Sequence, residues 1–316
     1  MKKAFEKLNL RDYGVLLGFL ALCIAISIAT PSFLGKQNIL NLLRQSSIIG
    51  IISAGMTFVI ISGNFDISVG AVAALAGAIT MKFATGGTNL FASMFLGVAI
   101  CAVIGLINGI VVAKINVPSL IATMAMVTIV RGLLLMLTGG YPITENIPIL
   151  DYIGNGYLFN IPIPVVIFFI VVLVSFIVLN KTKFGRYVYS VGGNQEASKL
   201  NGINVDSHKV KVFIINAVLA GIAGIVLTGR LGTATAIAGE GYDMDAIASV
   251  VIGGTSVAGG SGSVLKTVIG VLLMSVINNS FNLLGIDVYF QYIFKGLIIL
   301  AAVGFDSYSK KKLASR

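Results

Sequence analysis

"KFGRYVYSVGGNQEASKLNGINV", residues 183–205, is polar, punctuated by glycine and mixed in charge, yet long apolar runs flank it on both sides. The contrast decides the fold class. Upstream, 163–179 carries no charge, and downstream, 210–228 carries only Lys211. Similar runs recur at 13–30, 48–62, 67–84, 90–113, 120–137, 264–284 and 289–304. A bilayer-spanning helix needs about 20 apolar residues, so each run is a candidate span. A further run, 244–257, is too short for a clean crossing and reads as half-broken or re-entrant. The chain of 316 residues is 57% hydrophobic and 11% charged, with mean hydropathy +0.98, whereas a soluble domain carries about 25% charged residues. An all-α membrane protein is predicted: a single domain, 1–316, built as a polytopic bundle of about ten helices, within a range of 8–10.

Charge placement supports ten spans. Lys and Arg are enriched in cytoplasmic loops. The basic clusters are Lys2, Lys3, Lys7 and Arg11 at the start, Lys181, Lys183, Arg186, Lys199, Lys209 and Lys211 around the quoted stretch, and Lys310, Lys311, Lys312 and Arg316 at the end. All three belong on one face, which puts both termini inside. Glu145, Asp151, Glu240, Asp243, Asp245 and Asp287 then fall in the opposite loops. The formal net charge of +10 reflects orientation in a membrane, and no basic stripe outside these flanks points to nucleic acid.

Other chemistries lack their parts. The run at 14–30 follows a basic start, but Thr30-Pro31-Ser32 is a poor signal-peptide cleavage site, so a retained first helix is expected. Cys23 and Cys101 both fall inside spans and read as small buried hydrophobes. His208 is the only histidine and lies in the basic hairpin, so zinc and serine-hydrolase constellations have no partners to draw on. No Walker A sequence is present either, and no cofactor is expected.

Two halves of the chain repeat a pattern. "GNFDISVGAVAAL" around Asp66 is matched by "GEGYDMDAIASVV" around Asp243, "LINGIVVAKINV" by "VINNSFNLLGIDV", and "VRGLLLM" by "FKGLIIL", in the same order. In a ten-span topology the first unit, about 48–138, begins inside, and the second, about 212–304, begins outside. That is an inverted repeat, which usually places a substrate path between its halves. Polar residues within spans are functional candidates by default: Asn108, Asn278 and Asn279 sit at matching places, as do Arg131 and Lys295, each before a Gly-Leu pair. Interhelical hydrogen bonding is the plainer reading of the asparagines. The stretch "GGTSVAGGSGS", 253–263, suits either a broken helix with close backbone approach or a flexible turn.

Within the opening hairpin, about 181–211, "EASKLNG" places Glu196, Ala197 and Gly202 in the spacing E-A-A-x-x-x-G, by which permeases of ATP-binding-cassette importers are commonly recognised. A short helix ended by a glycine can seat in a groove on a separate ATPase, and Gly202 permits the left-handed turn that ends it. Together with "GMTFVIISGNFDISVGAVAAL", "GEGYDMDAIASVVIGGTSVAGGSGSVLKTVIG" and "NNSFNLLGIDVYFQYIFKGLIILAAV", the hairpin closely resembles the permease subunit of ribose-type sugar ABC importers, from about residue 31 to 303. Phe65, where a small aliphatic residue is usual, and Ser198, in place of the second alanine, are the visible departures.

The resemblance implies a membrane channel in the bacterial cytoplasmic membrane, formed by a homodimer or pseudo-dimer, fed by an extracytoplasmic sugar-binding protein and driven by a cytoplasmic ATPase. The chain is then a transport subunit and not itself an enzyme. Asp66, Asn108, Asn278 and Asn279 become candidates for contacts along or beside the path, since a pore for a neutral polyol needs hydrogen bonds and few fixed charges. Glu240, Asp243 and Asp245 are candidates for docking the binding protein, with helix capping an alternative role for Asp243. An ion-coupled secondary transporter of a small polar solute is the rival reading, although Asp66 lies at a helix start and not at mid-span.

The charge clusters make the topology testable. Lys199→Cys and Lys312→Cys are expected to react with an impermeant thiol reagent only from the cytoplasmic side, and Glu145→Cys only from outside. Labelling of position 199 from outside overturns the orientation.

Overall fold

The computed structural model describes residues 10–314. Lys2, Lys3, Lys7 and Arg316 of the basic clusters lie outside the described residues. The apolar runs fold as helices: α1 (Leu10–Ala29), α2 (Lys36–Ile61), α3 (Val69–Thr85), α4 (Leu90–Ala113), α5 (Ser119–Thr138), α6 (Pro148–Asn155) and α7 (Ile163–Lys181). The polar hairpin supplies α8 (Lys183–Gly193) and α9 (Gln195–Leu200), followed by α10 (Val205–Leu231), α11 (Tyr242–Ile252), α12 (Val264–Leu283) and α13 (Val288–Ala314). Two short antiparallel ribbons complete the chain: β1 (Ile143–Thr144) with β4 (Thr233–Ala234), and β2 (Tyr157–Leu158) with β3 (Ile161–Pro162). Among the described residues, six helices (α2, α4, α5, α7, α10 and α12) are long and apolar enough to cross a membrane, and Val15–Ala29, Val69–Thr85 and Val288–Ala301 are shorter apolar helices. This is an all-α multi-pass membrane protein.

Two elements depart from the apolar runs. α2 begins at Lys36, well before the run at 48–62, and its first half exposes Lys36, Gln37 and Asn41 while burying Arg44, Ser46 and Ser47. Arg44, 7% exposed, donates to Asn155 O at 3.1 Å and lies 4.8 Å over the Tyr157 ring. Ser47 Oγ returns a bond to Leu43 O at 2.6 Å. The second departure is α11, which has only 11 residues. At 1.5 Å per residue it reaches about 16 Å, roughly half the hydrocarbon thickness. It stops at Gly253 and Gly254, the latter at φ +87°, in a conformation a side chain resists.

Small residues decide which helices are central. Helices in lipid gain little from apolar contact alone, so close packing and hydrogen bonds hold them together. α10 lies against α3 where Gly224 meets the Ala73 backbone and Gly77 meets Thr228, positions with no room for a Cβ. Its other flank meets α4, where Gly105 and Gly109 sit against the backbones of Phe213 and Val210. α12 approaches α11 in the same way, with Gly270 on Ser249 O. α2 and α3 are interior too, buried throughout 46–61 and 69–81, whereas α5 keeps an outer face for lipid or a partner.

Candidate functional site

α2 ends at Ile61 and α3 begins at Val69, leaving an irregular buried loop that must find partners for its polar groups without water. Asp66 supplies them. Its Oδ1 accepts from Ser68 N–H at 2.9 Å and Ser68 Oγ at 2.6 Å, and its Oδ2 accepts from Asn216 Nδ2 at 2.9 Å. Asn108 Nδ2 donates to Ser68 Oγ at 3.1 Å. Asp66, Ser68, Asn108 and Asn216 are all at most 1% exposed, so one carboxylate ties the start of α3 to α4 and α10. Two further loop amides, of Phe65 and Ile67, donate to the Ser119 and Thr123 hydroxyls of α5, at 3.1 and 3.2 Å.

The second half repeats this chemistry around α11. Asp245, 3% exposed, receives Lys295 Nζ at 3.0 Å and Asn278 Nδ2 at 3.4 Å. Asn278 thus stands to Asp245 as Asn108 stands to Ser68. Asn279 turns the other way and exchanges bonds with Asn38 at 2.8 and 3.0 Å. Arg131 donates to the Ala236 and Ala238 carbonyls, the second at 3.1 Å, and so pins the loop between β4 and α11. The two bases matched in the sequence therefore grip the same part of the chain, Arg131 at the approach to α11 and Lys295 at its body.

A cavity of about 590 Å³ opens between α5, that loop, the start of α11 and Tyr292 of α13. Of the three carboxylates singled out for docking, Glu240 is exposed on its rim, Asp243 is half-buried in its wall, and Asp245 is interior, held by Lys295. Asp243 lies in the first turn of α11, where Gly241 occupies the N-cap and makes no side-chain cap bond. Asp66, Asn108, Asn278 and Asn279 do not line this cavity. An adjoining space of about 260 Å³ shares Glu240, Met244 and Tyr292 and adds Lys295.

The hairpin is built as a short capped lever. Asn194 caps α9 by accepting from Ala197 N–H at 2.9 Å. At the other end Gly202, φ +76°, donates to Lys199 O at 2.9 Å and Ile203 N–H donates to Ser198 O at 3.0 Å. This pair of bonds is the Schellman arrangement, in which a left-handed residue closes the helix. Glu196 and Ala197 are exposed and Leu200 is 90% exposed, whereas Ser198 turns inward to Ser190 Oγ at 3.0 Å. The root of the lever is tight. Gly192 lies on Ile61 O, Gly260 N–H donates to that same oxygen at 2.8 Å, and Tyr189 Oη donates to Gly262 O at 3.0 Å. The glycine-rich stretch 253–263 is thereby the seat of α8.

Comparison with known proteins places these features in a family. Residues 38–303 match the family described as branched-chain amino acid transport system, permease component. The chain belongs to this permease family. It is 44% identical to the ribose import permease protein RbsC of Haemophilus influenzae, over 93% of this chain and 94% of that protein. It is 43% identical to the ribose import permease protein RbsC of Bacillus subtilis, over 94% and 93%, and 35% identical to the L-arabinose transport system permease protein AraH of Escherichia coli, over 95% and 92%. These relatives are transport permeases and not enzymes. No solved structure matches the chain.

Asn216 and Ser68 of this permease were not singled out in the sequence, although Asn216 stands within the apolar run at 210–228, where the rule for polar residues in spans applies. The asparagines are expected to stabilise the bundle. Asn108→Leu and Asn278→Leu should each lower the thermal stability of the purified permease by a similar amount, about 0.6 to 2 kcal/mol. Wild-type melting of both counts against their matched roles.

Proposed function

We propose that the chain is the translocation subunit of an ABC importer for a ribose-like monosaccharide in the bacterial cytoplasmic membrane. A cytoplasmic ATPase seats on α9, and an extracytoplasmic sugar-binding protein delivers the solute. The observation that carries this reading is α9 itself: a helix capped at both ends, projecting Glu196, Ala197 and Leu200 into solvent, in a chain whose relatives are ribose import permeases.

The finer reading has about ten spans, with both termini cytoplasmic and with two inverted repeats, about 48–138 and 212–304, around the hairpin at 181–211. The paired motifs Asn108–Ser68 and Asn278–Asp245 support the repeat. In the homodimer or pseudo-dimer of this reading, the mouth of the cavity lined by Arg131, Glu240 and Asp243 faces the other copy. Charged groups facing lipid are costly, so a second copy and the aqueous path between copies cover them. Asp66, Asn108, Asn278 and Asn279 then hold the helices beside that path, and ATP-driven movement of the hairpins biases inward-open against outward-open states. Of the three acidic docking candidates Glu240, the exposed one, keeps that role, since Asp243 is half-buried and Asp245 is in an interior ion pair.

Gly202 is the sharpest test. A β-branched residue at its positive φ carries strain of about 1 to 3 kcal/mol, and open space surrounds the site, so no neighbour is crowded. Gly202→Val is expected to insert and assemble but to lose the ATPase in pull-downs and ATP-dependent sugar uptake in vesicles. Full binding and full transport mean that the hairpin is only a solvated loop. For the outer face, Glu240→Lys is expected to weaken stimulation by the binding protein, more so at low salt, where charge attraction is less screened. Stimulation that stays unchanged at every salt concentration removes Glu240 from the docking surface.

A further inference from the structure

We infer that the 590 Å³ cavity between α5 and α11 is a subsite for a neutral polyol within the permease, with the Asp243 carboxylate and the Thr128 hydroxyl as its hydrogen-bonding groups. The inference rests on the importer reading above and assigns the substrate contact within it.

The cavity has the make-up of a small-molecule site: its volume lies within the usual range of about 300–1,000 Å³, with a few polar groups set in apolar walls. Met124, Val127, Ile237 and Met244 form those walls, and the half-exposed ring of Tyr292 borders the opening. A sugar ring is amphipathic in the same way, with C–H faces for apolar and aromatic contact and hydroxyls at its edge.

The charges select among ligands. One guanidinium faces two carboxylates, Glu240 and Asp243, so an anionic solute meets net repulsion. Arg131 is moreover committed to the Ala236 and Ala238 carbonyls, which leaves it poorly placed to receive a carboxylate or phosphate from the solute. Asp243 lines the cavity, where its carboxylate offers acceptors to hydroxyl donors. Thr128, exposed on the facing wall of α5, both donates and accepts. Sugar phosphates, sugar acids and amino acids are therefore disfavoured, and an uncharged polyol is matched. Arg131 acts as a positioning residue, holding the loop that forms the roof.

The test uses the complete importer, with its ATPase and binding protein, in proteoliposomes. Asp243→Asn and Thr128→Val are each expected to lower D-ribose uptake roughly ten-fold at saturating binding protein, while the amounts of ATPase and binding protein held by the permease stay at the wild-type level. In nanodiscs the permease alone should transfer saturation to D-ribose in NMR difference spectra, and Asp243→Asn should abolish the transfer. Ribose 5-phosphate and leucine should receive none. Full uptake and undiminished transfer in both variants overturn the subsite, as does stronger transfer to ribose 5-phosphate or leucine than to ribose. Should Asp243→Asn fail to assemble, Thr128→Val decides by the same two readouts. A wild-type importer that moves no neutral monosaccharide sinks the importer reading itself, whereas wild-type transport with unaffected variants sinks only the subsite.

Discussion

The structure depends on the satisfaction of buried polar groups where water is absent. A broken helix in a membrane leaves amides and carbonyls without partners, and each costs several kcal/mol if it stays unpaired. Breaks are affordable here because buried side chains meet the freed backbone: Asp66 accepts an amide before α3, and Arg131 donates to carbonyls before α11. Asp66 gathers the Ser68 amide and hydroxyl and the Asn216 amide before α3. Asp245, inside the first turns of α11, is met by Lys295 and Asn278. The interrupted segments are thereby held by buried polar contacts, and a cavity opens beside the second of them.

The same constraint explains why glycine is abundant and where it falls. Hydrogen bonds between helices reach only if backbones come close, and close approach needs residues without a Cβ. Gly55 lies on Asn216, so the asparagine that serves Asp66 can pass α2 without a clash. Gly70 and Gly239 touch through their backbones, which brings the start of α3 against the loop pinned by Arg131. Packing and polar satisfaction are one problem in this bundle, and a side chain added at these glycines disturbs both.

Much of this was legible in the sequence, for physical reasons. Membrane class and helix positions follow from run length, because lipid penalises an unsatisfied backbone regardless of the partners a helix finds. The left-handed end of α9 was legible because Gly202 closes a short helix, and the sequence match of Asn108 with Asn278 falls on a matched hydrogen-bonding pattern. Tertiary facts were not legible. The polar start of α2 reads as a loop until Arg44 is seen bonded to Asn155 and stacked on Tyr157. The three acids at 240–245 read alike, yet one turn of helix separates an exposed carboxylate from an ion-paired interior one. Spacing alone does not state which side of a short helix faces the bundle.

The glycine-rich stretch at 253–263 suits, by its sequence, a broken helix or a flexible turn, and its contacts favour the first. Its backbone bonds Ile61 O through Gly260 and accepts from Tyr189 through Gly262, while Gly259 lies against Gly63. Five glycines from three segments thus meet where α8, the end of α2 and the loop after α11 converge, and side chains at Gly192 or Gly260 would hold those backbones apart. A joint of this kind has little slack. α8 thus touches the end of α2, which leads into the Asp66 loop, and the loop that follows the C-terminal end of α11. The hairpin is polar where it is exposed, but its root is glycine because backbone there lies in contact with backbone.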